Sequence, residues 1–77
     1  MYTLYTTENC EWCVLAKNLL FSHNLEFVNV ILDTPKKKKE FKESTGHSTV
    51  PQVYSESGEH IGGYDQLVEF LSTGKTP

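Results

Sequence analysis

The chain has 77 residues, 38% of them apolar and 22% charged, with a formal net charge of −3. A protein this short buries only about 60% of the surface its unfolded chain exposes, which fits a single domain over residues 1–77 with one economical core. The acidic balance excludes a nucleic-acid partner held by phosphate attraction, and no apolar run nears the roughly 20 residues of a membrane helix.

Residues 1–6 (M-Y-T-L-Y-T) are β-branched and aromatic and read as a buried strand. They run straight on from Met1 with no basic flank, so no signal peptide is expected. Over residues 11–23, Val14, Leu15, Leu19 and Leu20 recur at helical spacing. Residues 26–32 (E-F-V-N-V-I-L) give the clearest strand. Asp33-Thr34-Pro35 then supplies an N-cap and a proline at the first helical position, opening a helix to about Thr45 that Gly46 stops. Residues 52–54 and 59–61 read as a hairpin closed by Ser55-Glu56-Ser57-Gly58, and Gly62-Gly63 breaks the chain again. A last helix carries Tyr64, Leu67, Val68 and Leu71 on one face, with Asp65 placed to cap its first N–H groups. The order β-α-β-α-β-β-α calls for a right-handed parallel crossover followed by an antiparallel hairpin. Helices on both faces would keep residues 28–32 dry.

Chemistry concentrates in T-T-E-N-C-E-W-C, residues 6–13. Two cysteines cannot build the framework of a small secreted domain, so a reducing, cytoplasmic compartment is expected. A C-x-x-C where a strand hands over to a helix is the signature of a thioredoxin-like redox pair. The first turn of a helix has unpaired N–H groups and the positive end of the macrodipole, so a thiolate at Cys10 is stabilised there. Its pKa is expected below the free value of about 8.5. Cys13, one turn on, can swing its sulfur onto a disulfide formed at Cys10, which makes Cys10 the attacking thiol and Cys13 the resolving one. The alternatives are a pair of inert buried thiols or half a zinc site. Zinc would need two more ligands, and His23, His47 and His60 form no H-x₃₋₅-H pair; these histidines read as loop or surface residues. No metal is expected. Trp12 reads either as an exposed aromatic flanking the site, able to touch substrate, or as a structural residue. Lys17 reads as a helix-surface lysine.

Three blocks in order, Y-T-T-E-N-C-E-W-C, T-V-P-Q-V-Y and G-G-Y-D-Q-L, resemble the glutaredoxin family across nearly the whole chain. The shortness and the run V-P-Q-V-Y-S-E-S-G-E-H-I-G-G-Y-D-Q-L look like bacteriophage members, for which the compartment would be the host cytoplasm. The resemblance implies a thioredoxin fold, an α/β architecture with a four-stranded mixed sheet in the order 2-1-3-4 and helices on both faces. It implies a monomeric thiol–disulfide oxidoreductase with glutathione as reductant and co-substrate. Its clients would be disulfide-bearing proteins, ribonucleotide reductase among them.

The resemblance also assigns residues. Catalysis falls to Cys10 and Cys13. Thr49, Val50 and Pro51 form a turn with Pro51 cis, although trans is the default for an X–Pro bond. That turn offers the Val50 N–H and C=O to an extended peptide as one added β rung. Gly63, Tyr64 and Asp65 receive the γ-glutamyl end of glutathione, its carboxylate on backbone N–H groups and its amine on the acid. Trp12 flanks the ligand. Lys38 or Lys39, from the run Lys36-Lys37-Lys38-Lys39, falls near a glutathione-contacting position; four lysines on a solvated helix face are otherwise ordinary. Two departures stand out: Glu11-Trp12 replaces the common Pro-Tyr between the cysteines, and Thr7 stands where many members carry lysine. Two rival readings follow, a glutaredoxin-shaped protein recycled by thioredoxin reductase and a glutathione-assisted iron–sulfur cluster carrier.

Overall fold

The computed structural model describes residues 1–72; the end of the expected 1–77 domain lies outside the described residues. In chain order the elements are β1 (Tyr2–Thr6), α1 (Glu11–Ser22), β2 (Phe27–Ile31), α2 (Pro35–Thr45), β3 (Gln52–Tyr54), β4 (His60–Gly62) and α3 (Tyr64–Ser72). The strands form one sheet in the order β2-β1-β3-β4. β1 pairs in parallel with β2, Leu4 opposite Asn29, and antiparallel with β3, Leu4 opposite Val53. β4 closes the other edge against β3. The expected mixed sheet and its order are therefore present.

Side chains alternate across β1, and the alternation sorts the layers. Tyr2 and Leu4 are buried with Ala16 and Leu20 of α1, Val53 of β3 and Leu67 of α3, so α1 and α3 cover one face. Tyr5 points the other way and meets Phe41 of α2, ring centroids 4.6 Å apart. Helices thus lie on both faces, but they do not keep β2 dry. It is an edge strand, and Val28 and Ile31 remain exposed.

The buried stripe of α1 is also displaced from the expected one. Cys13, Ala16 and Leu20 are buried, whereas Val14 and Leu15 face outward. Periodicity alone cannot fix the rotation of a helix when cysteine and alanine share its inner face, since both are small and the leucines and valine dominate any apolar count.

The second helix starts and stops as expected. The Lys37 N–H donates to Thr34 Oγ1 at 3.2 Å, Pro35 occupies the first turn, and Gly46 takes the left-handed conformation at φ 79°. Lys37 Nζ reaches back to Asp33 at 2.9 Å, and that hydrogen-bonded cation holds the Asp33 carboxyl below its ordinary range.

Candidate active site

Asn9, at φ 59°, turns the chain sharply after β1 and sets Cys10 as the N-cap of α1. Asparagine adopts this left-handed backbone more readily than other non-glycine residues, so the N-C sequence suits the corner. Cys10 then has an extended backbone, and its Sγ accepts the Cys13 N–H at 3.1 Å. The sulfur occupies the place a serine or aspartate oxygen takes at an ordinary N-cap. Cys10 and Cys13 are joined as a disulfide, with Cα atoms 5.2 Å apart. Their exposure differs sharply: Cys10 is half-buried, while Cys13 is only 1% exposed.

The pair borders a cleft of about 570 Å³ with Thr7, Asn29 and Lys17 of the α1 surface among its walls. Behind it, the buried Thr6 hydroxyl donates to Asn29 Oδ1 at 2.7 Å.

A second cleft, of about 450 Å³, gathers Trp12, Thr49, Val50, Pro51, Gly63, Tyr64 and Asp65. Seven positions singled out from sequence thus line one concavity, although they come from three separate stretches of chain. The Val50–Pro51 bond is cis, as the family resemblance implies. Trp12 is 56% exposed and its ring lies 5.6 Å from that of Tyr64, so it flanks the cleft as an open aromatic wall.

The entry to α3 differs in detail from expectation. Asp65 lies inside the first helical turn, and Gly63 holds the cap position, with its C=O accepting the Leu67 N–H at 3.0 Å. Gln66 reaches back, its Oε1 accepting the Gly63 N–H at 3.0 Å, which is the return half of a capping box. An aspartate two positions earlier would have capped; inside the turn, Asp65 lines the cleft and its charge complements the positive helix end. Gly62 has φ 127°, and a Cβ there would lie 2.9 Å from Gln66 Cβ, so glycine is required by both conformation and space.

Lys38 lines a smaller cavity of about 250 Å³ with Thr7, His47, Thr49 and Val50. Its neighbours in the lysine run are engaged elsewhere, Lys37 with Asp33 and Lys39 with Glu43 at 3.9 Å. Lys38 is therefore the member of Lys38 and Lys39 that borders the Val50 turn. Thr7 belongs to both this cavity and the dithiol cleft, joining the two.

Three polar residues near the site carried no sequence signal. His47 and His60 stack with ring centroids 4.1 Å apart, and His60 bonds to the buried Gln52. Only the hairpin register, which sets His60 opposite Tyr54, could have placed one of them. Among the described residues, no group of three or more His, Cys, Asp or Glu is gathered as for a metal ion.

A cysteine pair oxidised to a disulfide at a helix start, on a four-stranded sheet with a cis-proline turn, defines a thiol–disulfide oxidoreductase of the thioredoxin fold. Comparison with known proteins narrows that class. A family model described as Glutaredoxin matches residues 2–61. Glutaredoxin 3 of Escherichia coli is 38% identical over 72 residues, covering 92% of this chain and 86% of its own length. A glutaredoxin of Pseudomonas aeruginosa is 36% identical over 74 residues, covering 94% and 86%. Among solved structures, glutaredoxin 1 of Francisella tularensis, complexed with cacodylate, matches with a TM-score of 0.81 at 29% identity. That match spans 94% of this chain and 92% of the other. A buckwheat glutaredoxin–glutathione complex also gives 0.81, at 27% identity over 96% and 70% of the two chains. The chain belongs to the glutaredoxin family.

Proposed function

We propose that this protein is a glutathione-dependent oxidoreductase that reduces protein disulfides and glutathione mixed disulfides. The observation that carries the reading is the Cys13 N–H donated to Cys10 Sγ at the mouth of α1. In the reduced protein that donor and the helix dipole stabilise the Cys10 thiolate, which is the attacking species.

The thiolate attacks one sulfur of a substrate disulfide. The Cys10–substrate S–S bond forms, the original S–S bond breaks, and the departing thiolate takes up a proton. Cys13, deprotonated, then attacks Cys10 Sγ and releases the second substrate thiol, leaving the Cys10–Cys13 disulfide. Two glutathione molecules reduce that disulfide, becoming glutathione disulfide, so two electrons pass in each cycle.

In this reading Val50 offers its backbone to the glutathione peptide, and Gly63, Tyr64 and Asp65 receive its γ-glutamyl end. Trp12 packs beside it, and Lys38 supplies the positive charge that Thr7 lacks. The support is their shared lining of adjoining cavities and the relative solved with glutathione. Residues 1–77 act as one monomeric domain in a reducing cytoplasm, with ribonucleotide reductase among the clients. Bacterial relatives accord with that compartment, and no described helix is long and apolar enough to cross a membrane.

Reduction of a glutathionylated peptide, coupled to glutathione and glutathione reductase, tests the assignment. Cys10→Ser is expected to abolish turnover, and activity retained by that variant would overturn it. Turnover supported by thioredoxin reductase but not by glutathione would favour the other recycling route. A coloured, bridged dimer after anaerobic reconstitution with iron and sulfide would favour cluster carriage.

A further inference from the structure

His47 lies in the loop after α2 and His60 in β4, yet their rings stack 4.1 Å apart and within 15° of parallel. The other edge of His60 is also fixed, with Nε2 2.7 Å from Gln52 Oε1. Gln52 passes the contact on, since its amide nitrogen donates to Thr49 Oγ1 at 3.1 Å. In this arrangement the Gln52 NH₂ faces Thr49 and its Oε1 faces His60, so a neutral His60 with hydrogen on Nε2 donates to that oxygen. Gln52 is buried, while its partners His60 and Thr49 lie at the surface.

We propose that His60, braced by His47, is a positioning residue for disulfide reduction: through Gln52 it holds the Thr49–Val50 turn in its substrate-receiving shape, and protonation of the stacked pair relaxes that hold. The inference deepens the proposed function and rests on it for the identity of the substrate.

A single charge on one ring can sit against the face of the other, but two charges at this separation repel. Partial burial pushes the His60 pKa down, and His47 pushes it the same way. Neutral, braced His60 is thus the form present above the ordinary imidazole range. Of the other titratable groups, Tyr54 meets the His60 ring, Lys38 from α2 shares a cavity with His47, and Asp65 from α3 shares a cleft with both histidines. Of all these side chains, the imidazoles are the ones whose ordinary titration falls between about pH 5 and 8.

The test has one arm without substrate and one with it. In a substrate-free NMR titration from about pH 8 to 5, the Thr49 and Val50 amide signals are expected to move with the His60 ring midpoint. In His60→Gln, which keeps a neutral N–H donor, that movement disappears. With a glutathionylated peptide, acidification over the same range raises the wild-type KM by about threefold, the scale of one neutral hydrogen bond. H60Q shows a flatter KM, and H60L, which has no donor, shows a raised KM throughout. Thr49 and Val50 signals that ignore the His60 titration would overturn the proposal, as would a wild-type pH dependence of KM in H60Q. Failure to turn over the peptide at any pH would instead remove the glutathione reading, and the substrate-free arm would still decide the role of His60.

Discussion

Thr6 donates its hydroxyl proton to Asn29 Oδ1 at 2.7 Å, tying β1 to β2 directly behind the cysteine pair. The two partners are not equivalent. Thr6 is buried and Asn29 only half so, which means that loss of the acceptor strands a hydroxyl, whereas loss of the hydroxyl leaves an amide that water can reach. Asn29→Leu is therefore expected to cost about 1–3 kcal/mol and Thr6→Val about 1 kcal/mol or less. The double variant should be less destabilised than the sum of the singles. Urea unfolding of the four proteins checks the cycle, and strict additivity would contradict the pairing.

Gly62 and Gly58 both have positive φ, but their surroundings differ. A Cβ on Gly62 meets Gln66, whereas one on Gly58 meets nothing within 4 Å. Gly58→Ala should cost about 1 kcal/mol from backbone conformation alone. Gly62→Ala should cost more, about 2–3 kcal/mol, and should also displace the start of α3. Thermal melts give the ranking. Equal losses at the two sites would mean that Gln66 moves aside freely.

Removing the open aromatic wall separates binding from folding. Trp12→Ala is expected to leave the melting temperature within about 2 °C of wild type, because an exposed side chain contributes little to stability. In the glutathionylated-peptide assay the same variant should raise KM by about two- to tenfold, the scale of one aromatic contact. A normal KM would show that the ring does not touch substrate.

Alkaline stability carries a defined sign. Burial raises the pKa of Tyr2, with Glu56 adding to it, and burial raises that of Tyr54, with Tyr5 adding to it. A group whose folded pKa lies above its unfolded value stabilises fully below the unfolded value and loses that contribution as pH rises through the folded one. Stability should thus decline above about pH 10, and Tyr2→Phe and Tyr54→Phe should each flatten that decline. His60 runs the other way. Its lowered value gives a contribution present above about pH 6.5 and lost as pH falls through the folded value, a loss absent in H60Q. Denaturant midpoints across pH check both limbs.

What the sequence made legible depends on whether a residue acts locally. Thr34, Pro35 and Gly46 mark α2 correctly because caps and stops are set by a few neighbouring backbone groups. The rotation of α1 was hidden, since the inward-facing Cys13 and Ala16 are small and add little to an apolar count beside Val14 and Leu15. The exposure of Val28 and Ile31 was hidden for another reason: edge position is a property of the whole sheet. At the candidate site, the cysteines, the proline turn and the double glycine announce themselves by type and order. The His47–His60–Gln52–Thr49 chain does not, because stacking between a loop and an edge strand leaves no periodic trace.

In the proposed cycle, the unequal exposure of Cys10 and Cys13 sets an order of events that their chemistry alone would leave open. The two sulfurs belong to the same residue type, but Cys13 is 1% exposed while Cys10 is only half-buried. A client disulfide would enter at Cys10, and its release through Cys13 would be an intramolecular step whose speed does not depend on how much client is waiting.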